Sequence, residues 1–175
     1  MKWKLILQTE RLRLREAVPS DARFFYQLLR QPEWIRFVGD RGIHRVEDAQ
    51  RYVTERLMPQ YELRGYGLWV VSLRGRQGGI GICGLVRRDG LDAPDIGFAL
   101  LNAHVGKGYI VEAAEAVMRY SFETLHLPKV FAITNADNER SVSVLQRIGM
   151  QEIEGVVLPG ETMELRRFVL EGNGG

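Results

Sequence analysis

The feature that most constrains this sequence is a strand that ends in a glycine-rich loop and leads into a long helix. The strand is the apolar run 95–101, the loop reads Val105-Gly106-Lys107-Gly108-Tyr109, and the helix is predicted from near Gly108 to about Leu125. A helix start presents several free backbone N–H groups in one direction, and the helix dipole adds positive charge there. Glycine lets an anion approach the backbone closely. The loop therefore predicts a phosphate site or, as the alternative, a simple tight turn.

Two common phosphate-binding motifs do not fit these residues. A P-loop needs Ser or Thr after the Gly-Lys pair, but Gly108 follows Gly106-Lys107. A dinucleotide-binding loop needs a third glycine and a plain βαβ unit around it, and neither is present. The loop by itself indicates an anion site of unspecified kind.

The remaining chain predicts strands and helices in the order β-α-α-β-β-β-α-β-α-β-β. This order is typical of an α+β (mixed α/β) fold with a central sheet and helices on both faces. One strand is expected across residues 5–15, and the aromatic segment 34–39 is expected to be a loop between the first two helices. We predict one domain over residues 1–170, because 175 residues without a linker fit a single domain, and a flexible tail over 171–175.

The composition indicates which classes of ligand and which cellular compartment to expect. The formal net charge is +2, which gives no reason to expect nucleic acid or an acidic membrane as the main ligand. The single cysteine, Cys83, cannot form an internal disulfide, so a reduced, cytoplasmic setting is favoured. It lies in the apolar run 79–85 and is interpreted as a buried strand residue rather than a nucleophile. No apolar run reaches the roughly 18 residues that span a bilayer. We predict no metal site.

Three blocks in the same order and spacing resemble the GNAT N-acetyltransferase superfamily, and its ribosomal-protein N-terminal acetyltransferase branch in particular. Residues 106–113 (Gly-Lys-Gly-Tyr-Ile-Val-Glu-Ala) resemble the branch's acetyl-CoA loop, W-G-K-G-Y-A-T-E-A. Residues 135–150 are similar to the family's N-x-x-S-x-x-v-l-x-k-x-G-F. Residues 9–15 (Thr-Glu-Arg-Leu-Arg-Leu-Arg) resemble its T-x-R-L-x-L-R start. The resemblance covers essentially the whole chain.

The resemblance implies an acetyl-CoA groove. It implies a mostly antiparallel sheet in which the strand 96–101 splays from its neighbour, so that the pantetheine arm pairs with it as another strand would. Backbone N–H groups from Val105 through Ile110 would bind the pyrophosphate, and Asn138 would contact the cofactor, with a helix N-cap as its alternative role. The predicted cofactor residues are Ile96, Phe98, Leu100, Val105, Gly106, Lys107, Gly108, Tyr109, Ile110, Asn135, Asn138 and Ser141.

The resemblance also implies catalytic residues. Direct attack of a neutral amine on a thioester needs a base for the amine proton and a donor for the leaving thiolate. Asp95 holds the acidic position of the branch's E-I-G-Y motif and is the predicted base, with a strand-end carboxylate as the alternative and His104 as the competing base. Ser141 is the predicted thiolate donor, against an ordinary surface serine. Glu112 matches the family's helix glutamate, which the helix dipole explains without catalysis.

The predicted function is acetyl-CoA-dependent acetylation of a primary amine, on a protein N-terminus or a small molecule, by a monomer or homodimer. The acceptor pocket is predicted from Trp34, Arg36, Phe37 and Trp69. Ala103, Val105 and Met150 depart from the family pattern, and the second block lacks the tyrosine that many relatives use as acid. A catalytically degenerate CoA-binding sensor or interaction module is therefore the alternative, and an unrelated nucleotide-binding protein is a more remote one.

Overall fold

A computed structural model describes residues 2–173. Its eight strands are Leu5–Gln8 (β1), Leu12–Arg15 (β2), Leu68–Leu73 (β3), Gly81–Val86 (β4), Asp95–Leu100 (β5), Lys129–Thr134 (β6), Gln151–Val156 (β7) and Leu165–Glu171 (β8). The helices are Ala22–Leu29 (α1), Pro32–Phe37 (α2), Val46–Tyr52 (α3), Met58–Arg64 (α4), Tyr109–Glu123 (α5) and Glu139–Arg147 (α6). A π-helical turn, Val53–Leu57, joins α3 to α4. The helix predicted from the sequence in this region is thus one continuous helical stretch.

The eight strands form one sheet in the order β1-β2-β3-β4-β5-β6-β8-β7. Every neighbouring pair is antiparallel except β5 and β6, which are parallel. The predicted fold class, an α+β domain with a mostly antiparallel sheet, is confirmed. Strand β8 runs through Glu171, and the Gly172 N–H donates to the Pro128 carbonyl oxygen (2.9 Å), so ordered structure passes the predicted domain end. Gly174 and Gly175 of the predicted tail lie outside the described residues.

Helices cover both faces of the sheet. Successive strand residues point to opposite faces, so two neighbouring residues of β3 show which helix lies on each face. Trp69 of β3 packs edge-on against Tyr120 of α5, with ring centroids 5.5 Å apart. The next residue, Val70, lies with Phe24 of α1 against Gly79. Helix α5 therefore covers one face and α1 the other. The Tyr61 hydroxyl of α4 donates to the Leu68 carbonyl oxygen and connects α4 to β3.

Two local predictions are wrong. The single strand predicted across residues 5–15 is a hairpin of β1 and β2, because the chain turns at Thr9, where Thr9 N–H donates to the Leu12 carbonyl oxygen (2.9 Å). The segment predicted as an aromatic loop contains helix α2. Pro32 occupies the first turn of this helix, where its missing N–H has no intrahelical partner to lose.

Candidate active site

The glycine loop turns the chain into α5 and leaves backbone donors free. Gly106 and Gly108 both adopt the left-handed region, at φ of 87° and 78°, which explains why glycine stands at both positions. Among residues 2–173, no group accepts a hydrogen bond from the backbone N–H groups of residues 106–111. The Val105 N–H donates to the Asn102 carbonyl oxygen (3.3 Å), and its contact with a pyrophosphate stays a prediction. The free donors run from Gly106 into the first turn of α5.

The β1–β2 hairpin holds this loop from outside. Arg11 donates from Nη1 to the Lys107 carbonyl oxygen (2.9 Å) and from Nε to Oε2 of Glu112 (2.6 Å). The other carboxylate oxygen, Oε1, accepts from the Arg11 N–H (2.9 Å) and from the Thr9 hydroxyl (2.7 Å). Partial burial opposes ionisation of Glu112, but these bonds outweigh it and keep the pKa of Glu112 below its ordinary value. Its carboxylate is thus engaged in hydrogen bonds with the turn between β1 and β2.

The sheet opens immediately beside the loop. Strands β5 and β6 share a single register pair, Asp95 with Phe131, and the Phe131 N–H donates to the Pro94 carbonyl oxygen (2.9 Å). Beyond Asp95 the two strands have no further paired residues, whereas β5 stays paired with β4 along its length. The β5 backbone therefore presents an unpaired edge in the middle of the sheet, which can accept an extended ligand as an additional strand.

A cavity of about 570 Å³ lies at this opening. It is bounded by the ends of β4, β5 and β6, by α2 and α6, and by the segment between β7 and β8. The residues in its wall include Trp34, Ile96, Phe98, Asn138 and Ser141. The cavity is large enough for the reacting end of a small ligand and is mixed in character, with apolar walls and a few polar groups.

Asp95 lies in the wall of the cavity and is 1% exposed. The Arg88 guanidinium donates from Nε to both of its carboxylate oxygens, at 3.0 and 3.1 Å. Burial raises the pKa of Asp95 from its usual 3.8 to about 6, because the loss of hydration outweighs the charge and hydrogen bonds of Arg88. Near neutral pH the carboxylate is therefore ionised, and it is a stronger base than an exposed aspartate.

Three polar residues follow β6 on the other side of the opening. Asn138 caps α6, since its side-chain oxygen accepts from the Ser141 N–H (3.3 Å), and both residues line the cavity. The Ser141 hydroxyl itself forms no hydrogen bond within residues 2–173. The Asn135 side chain donates to the Phe37 carbonyl oxygen (2.9 Å) and so ties α2 to the end of β6 across the opening.

The four predicted acceptor residues separate into two groups. Trp34 and Phe37 of α2 line the cavity. Trp69 does not, because it is 1% exposed and points to the opposite face, against α5; its predicted place in the pocket is wrong. Arg36 also lies outside the cavity, and its exposed guanidinium pairs with Asp137 (2.7 Å).

Two further residues were considered for catalysis, Cys83 as a nucleophile and His104 as a base. Cys83 is fully buried on β4, and burial raises the pKa of its thiol far above the ordinary range, so a buried strand residue is the correct interpretation. His104 lies beside the Tyr109 ring, at 6.4 Å between centroids, and is not part of the cavity wall. Of the two candidate bases, Asp95 and His104, Asp95 lies in the cavity wall and His104 does not. Burial also raises the pKa of Asp95 to about 6.

Sequence reasoning missed Arg88, Arg11 and the ties that involve them. Arg88 follows β4 by two residues, and the antiparallel pair of Val86 with Asp95 brings it back beside the carboxylate. A predicted hairpin between these strands would have indicated that contact. Arg11 and Glu112 are 101 residues apart, and no local pattern connects them.

Within residues 2–173, no group of three or more His, Cys, Asp or Glu side chains is arranged to hold a metal ion. Over the same residues, no helix has both the length and the apolar character that crossing a bilayer would require.

Known proteins resemble this chain in sequence and in fold. The uncharacterized N-acetyltransferase YoaA of Bacillus subtilis is 28% identical over 155 residues, which cover 87% of this chain and 85% of that protein. The structure of RimL, a ribosomal L7/L12 alpha-N-protein acetyltransferase, superposes with a TM-score of 0.81 at 15% identity, over 98% of this chain and 96% of that one. The microcin C7 self-immunity acetyltransferase MccE, in complex with acetyl-CoA and AMP, superposes with a TM-score of 0.78 at 14% identity, over 93% of both chains.

The family itself is shown by a sequence profile. Residues 11–151 match the profile of the acetyltransferase (GNAT) domain. This match begins at Arg11 and spans β2, the glycine loop, both strands of the opening and α6. The chain therefore belongs to the GNAT acetyltransferase family, as the sequence predicted.

Proposed function

We propose that this protein transfers the acetyl group of acetyl-CoA to a primary amine by direct attack of the amine on the thioester. The observation that carries the proposal is the continuity of the site. A row of free backbone donors at residues 106–111 leads along the unpaired edge of β5 to a cavity whose wall holds Asp95. That order matches the order of pyrophosphate, pantetheine and thioester in acetyl-CoA.

The loop fits the pyrophosphate. Its donors are backbone groups at a helix start, where the helix dipole also favours negative charge, and Lys107 adds a positive side chain nearby. The space beside Gly106 is open, since a Cβ there would meet no atom within 4 Å. The departures at Ala103 and Val105 leave these backbone donors unchanged, because a backbone N–H does not depend on the side chain.

The opening between β5 and β6 fits the pantetheine arm. The arm contains two amide groups, and the unpaired edge of β5 offers backbone donors and acceptors over the stretch Ile96–Leu100. Amides that pair with this edge would direct the thioester toward the cavity, as a peptide does when it adds to a sheet.

Asp95 supplies the base. An aliphatic amine is mostly protonated at neutral pH and must lose a proton before its nitrogen attacks the thioester carbonyl carbon. The Asp95 carboxylate, with a pKa raised to about 6, accepts that proton directly or through a water molecule. Arg88 orients the carboxylate through Nε while its own side chain stays 37% exposed.

Ser141 supplies the donor for the leaving group. When the carbon–sulfur bond breaks, the thiolate of CoA gains the electron pair and needs a hydrogen-bond donor or a proton. Ser141 lines the cavity with a hydroxyl that has no other acceptor within residues 2–173, and the capping bond from its N–H to Asn138 fixes its backbone. This assignment replaces the tyrosine that many relatives carry.

The acceptor enters beside α2, where Trp34 and Phe37 form an apolar wall. Such a wall suits a small amine or the first residues of a protein N-terminus. RimL, which shares this fold, is named as an acetyltransferase of the alpha-amino group of a ribosomal protein, which supports a protein N-terminus as one kind of acceptor.

Thermal unfolding with millimolar acetyl-CoA tests the first half of the proposal. Ligand at 100 times its Kd stabilises a fold by about 2.7 kcal/mol. An unchanged Tm would contradict the cosubstrate assignment. Release of CoA in the presence of a panel of amines and N-terminal peptides tests the second half. Binding of acetyl-CoA without release of CoA for any acceptor would favour the non-catalytic sensor instead.

A further inference from the structure

We infer that Arg11 is a positioning residue for the phosphate-binding loop, and that it sets the direction of the loop's central N–H group. The inference rests on the proposed function, since it concerns how tightly CoA is held. It is carried by a single side chain from the β1–β2 hairpin that contacts three successive loop residues and the first turn of α5.

The contact with Lys107 fixes a peptide plane. In a trans peptide the C=O of one residue and the N–H of the next point in opposite directions. Arg11 Nη1 binds the Lys107 carbonyl oxygen (2.9 Å) on the hairpin side. The Gly108 N–H must therefore point away from the hairpin, toward the free donors of the helix start. Without this contact the plane could rotate, because Gly108 tolerates many backbone conformations.

Two further contacts hold the guanidinium in place. Its central carbon lies 4.6 Å from the centroid of the Tyr109 ring, and a Cβ on Gly108 would come within 3.4 Å of Nη2. On the other side, Nε is held at 2.6 Å by Glu112. The guanidinium is thus clamped between the carboxylate, the aromatic ring and the loop, although the side chain is 44% exposed.

Glu112 completes the arrangement by orienting Arg11. Its two oxygens accept three hydrogen bonds from Thr9 and Arg11. The bond from Nε pairs the carboxylate with the guanidinium and orients the guanidinium toward Lys107. Loss of the arginine fork would release both the carboxylate and the peptide plane. Arg11, in the turn between β1 and β2, and Glu112 of α5 therefore act on the phosphates through the loop, without contacting them.

The test compares Arg11→Ala and Arg11→Lys with Arg74→Ala. Arg74 is a matched control because it donates to the Thr9 and Glu10 carbonyl oxygens (3.2 and 3.3 Å) of the same turn, and within residues 2–173 its side chain forms no hydrogen bond with the loop. We expect Arg11→Ala to raise the Kd for CoA by about tenfold or more, and Arg11→Lys by less, because one ammonium cannot serve both Glu112 and Lys107. Arg74→Ala should leave the Kd for CoA within twofold.

A phosphate-free donor separates positioning from general damage. S-acetylpantetheine lacks the pyrophosphate, so Arg11→Ala should leave its kcat/KM unchanged while lowering that of acetyl-CoA. The KM for the acceptor should also stay constant. If Arg11→Ala does not fold, Arg11→Lys and Glu112→Gln serve as the variants for the same measurements, with a Kd raised severalfold.

Three results would overturn the inference: an unchanged Kd for CoA in the folded variants, an equal loss with S-acetylpantetheine, or an equal effect of Arg74→Ala. Each differs from failure of the proposed function, in which the wild-type protein itself would bind no CoA.

Discussion

The two ends of the candidate site are built in different ways. At the loop end the functional groups are backbone donors that face solvent, and their directions are set by Arg11 and Glu112 from elsewhere in the chain. At the cavity end the functional group is a side chain, Asp95, whose pKa is raised by burial, while the Arg88 guanidinium opposes part of that rise. The loop end depends on backbone shape, whereas the cavity end depends on local dielectric and charge.

This difference predicts which mutations affect which step. Changes at the loop should alter the affinity for CoA and leave the chemical step intact. Changes at the cavity should alter the chemical step and leave the affinity for CoA intact. A variant that violates this division would show that the two ends are coupled.

The largest effect is expected at the cavity end. Asp95→Asn keeps the shape of the side chain and removes the base, so kcat should fall by about 10²- to 10⁴-fold, the usual contribution of a general base. The Kd for CoA should not change. Steady-state kinetics with binding calorimetry would check both, and a kcat within threefold of wild type would remove Asp95 from the mechanism.

The next effect is expected at the loop. Gly108→Trp places a large side chain at φ 78°, which costs about 1–2 kcal/mol, and its Cβ would lie 3.4 Å from Nη2 of Arg11, so the loop and its donors must shift. The thermal stabilisation by acetyl-CoA should disappear, with an affinity loss of at least about 100-fold. Gly75→Ala is a suitable control, because Gly75 has nearly the same φ, 76°, and lies in the turn after β3. Its own strain should lower Tm without altering the shift caused by acetyl-CoA.

The pH dependence of stability should reveal the burial of Asp95. A carboxyl whose pKa is raised from 3.8 to about 6 holds its proton more tightly in the folded protein than in the unfolded chain. The fold therefore loses stability as pH rises through this window, by up to about 3 kcal/mol. In Asp95→Asn that loss should be absent, so the variant should gain stability relative to wild type between pH 4 and pH 7. Denaturant titrations at several pH values would measure this, and parallel curves for the two proteins would contradict it.

The smallest effect is expected for the leaving-group donor. Ser141→Ala removes one hydroxyl, and water can partly replace it in an open cavity, so kcat should fall by about tenfold or less. The backbone N–H that donates to Asn138 remains, so α6 should keep its cap. A thioester with a better leaving thiol should reduce the deficit; a deficit that is the same for every thioester would assign Ser141 a structural role.

Much of the fold was predictable because it follows from local patterns. The glycines at the loop and after α6 (Gly149, φ 86°) marked the helix boundaries correctly, and strands β3 to β6 follow the apolar runs. The placement of Trp69 was not predictable, because alternation along a strand shows that neighbouring residues face opposite sides but not which side is the cavity. Helix α2 does carry a local signal, because Pro32 is a residue typical of a helix start.

The candidate site was predictable to the degree that it consists of backbone. The loop donors follow from glycine positions and a helix start, whereas the basicity of Asp95 depends on burial and on Arg88, which only the paired β4–β5 hairpin brings together. The tie between Arg11 and Glu112 needs the folded chain, since 101 residues separate the two.

The single register pair between β5 and β6 also affects how the protein responds to its cosubstrate. Strands β1–β5 and β6–β8 share only that register pair within the sheet, so we expect the two parts to act as separate units in amide exchange with solvent. An acyl-CoA arm hydrogen-bonded along β5 would fill the gap and link the two units. Slower deuterium uptake in β6 and β8 when the ligand binds, at amides that the ligand does not contact, would show that the bound arm links the two parts of the sheet.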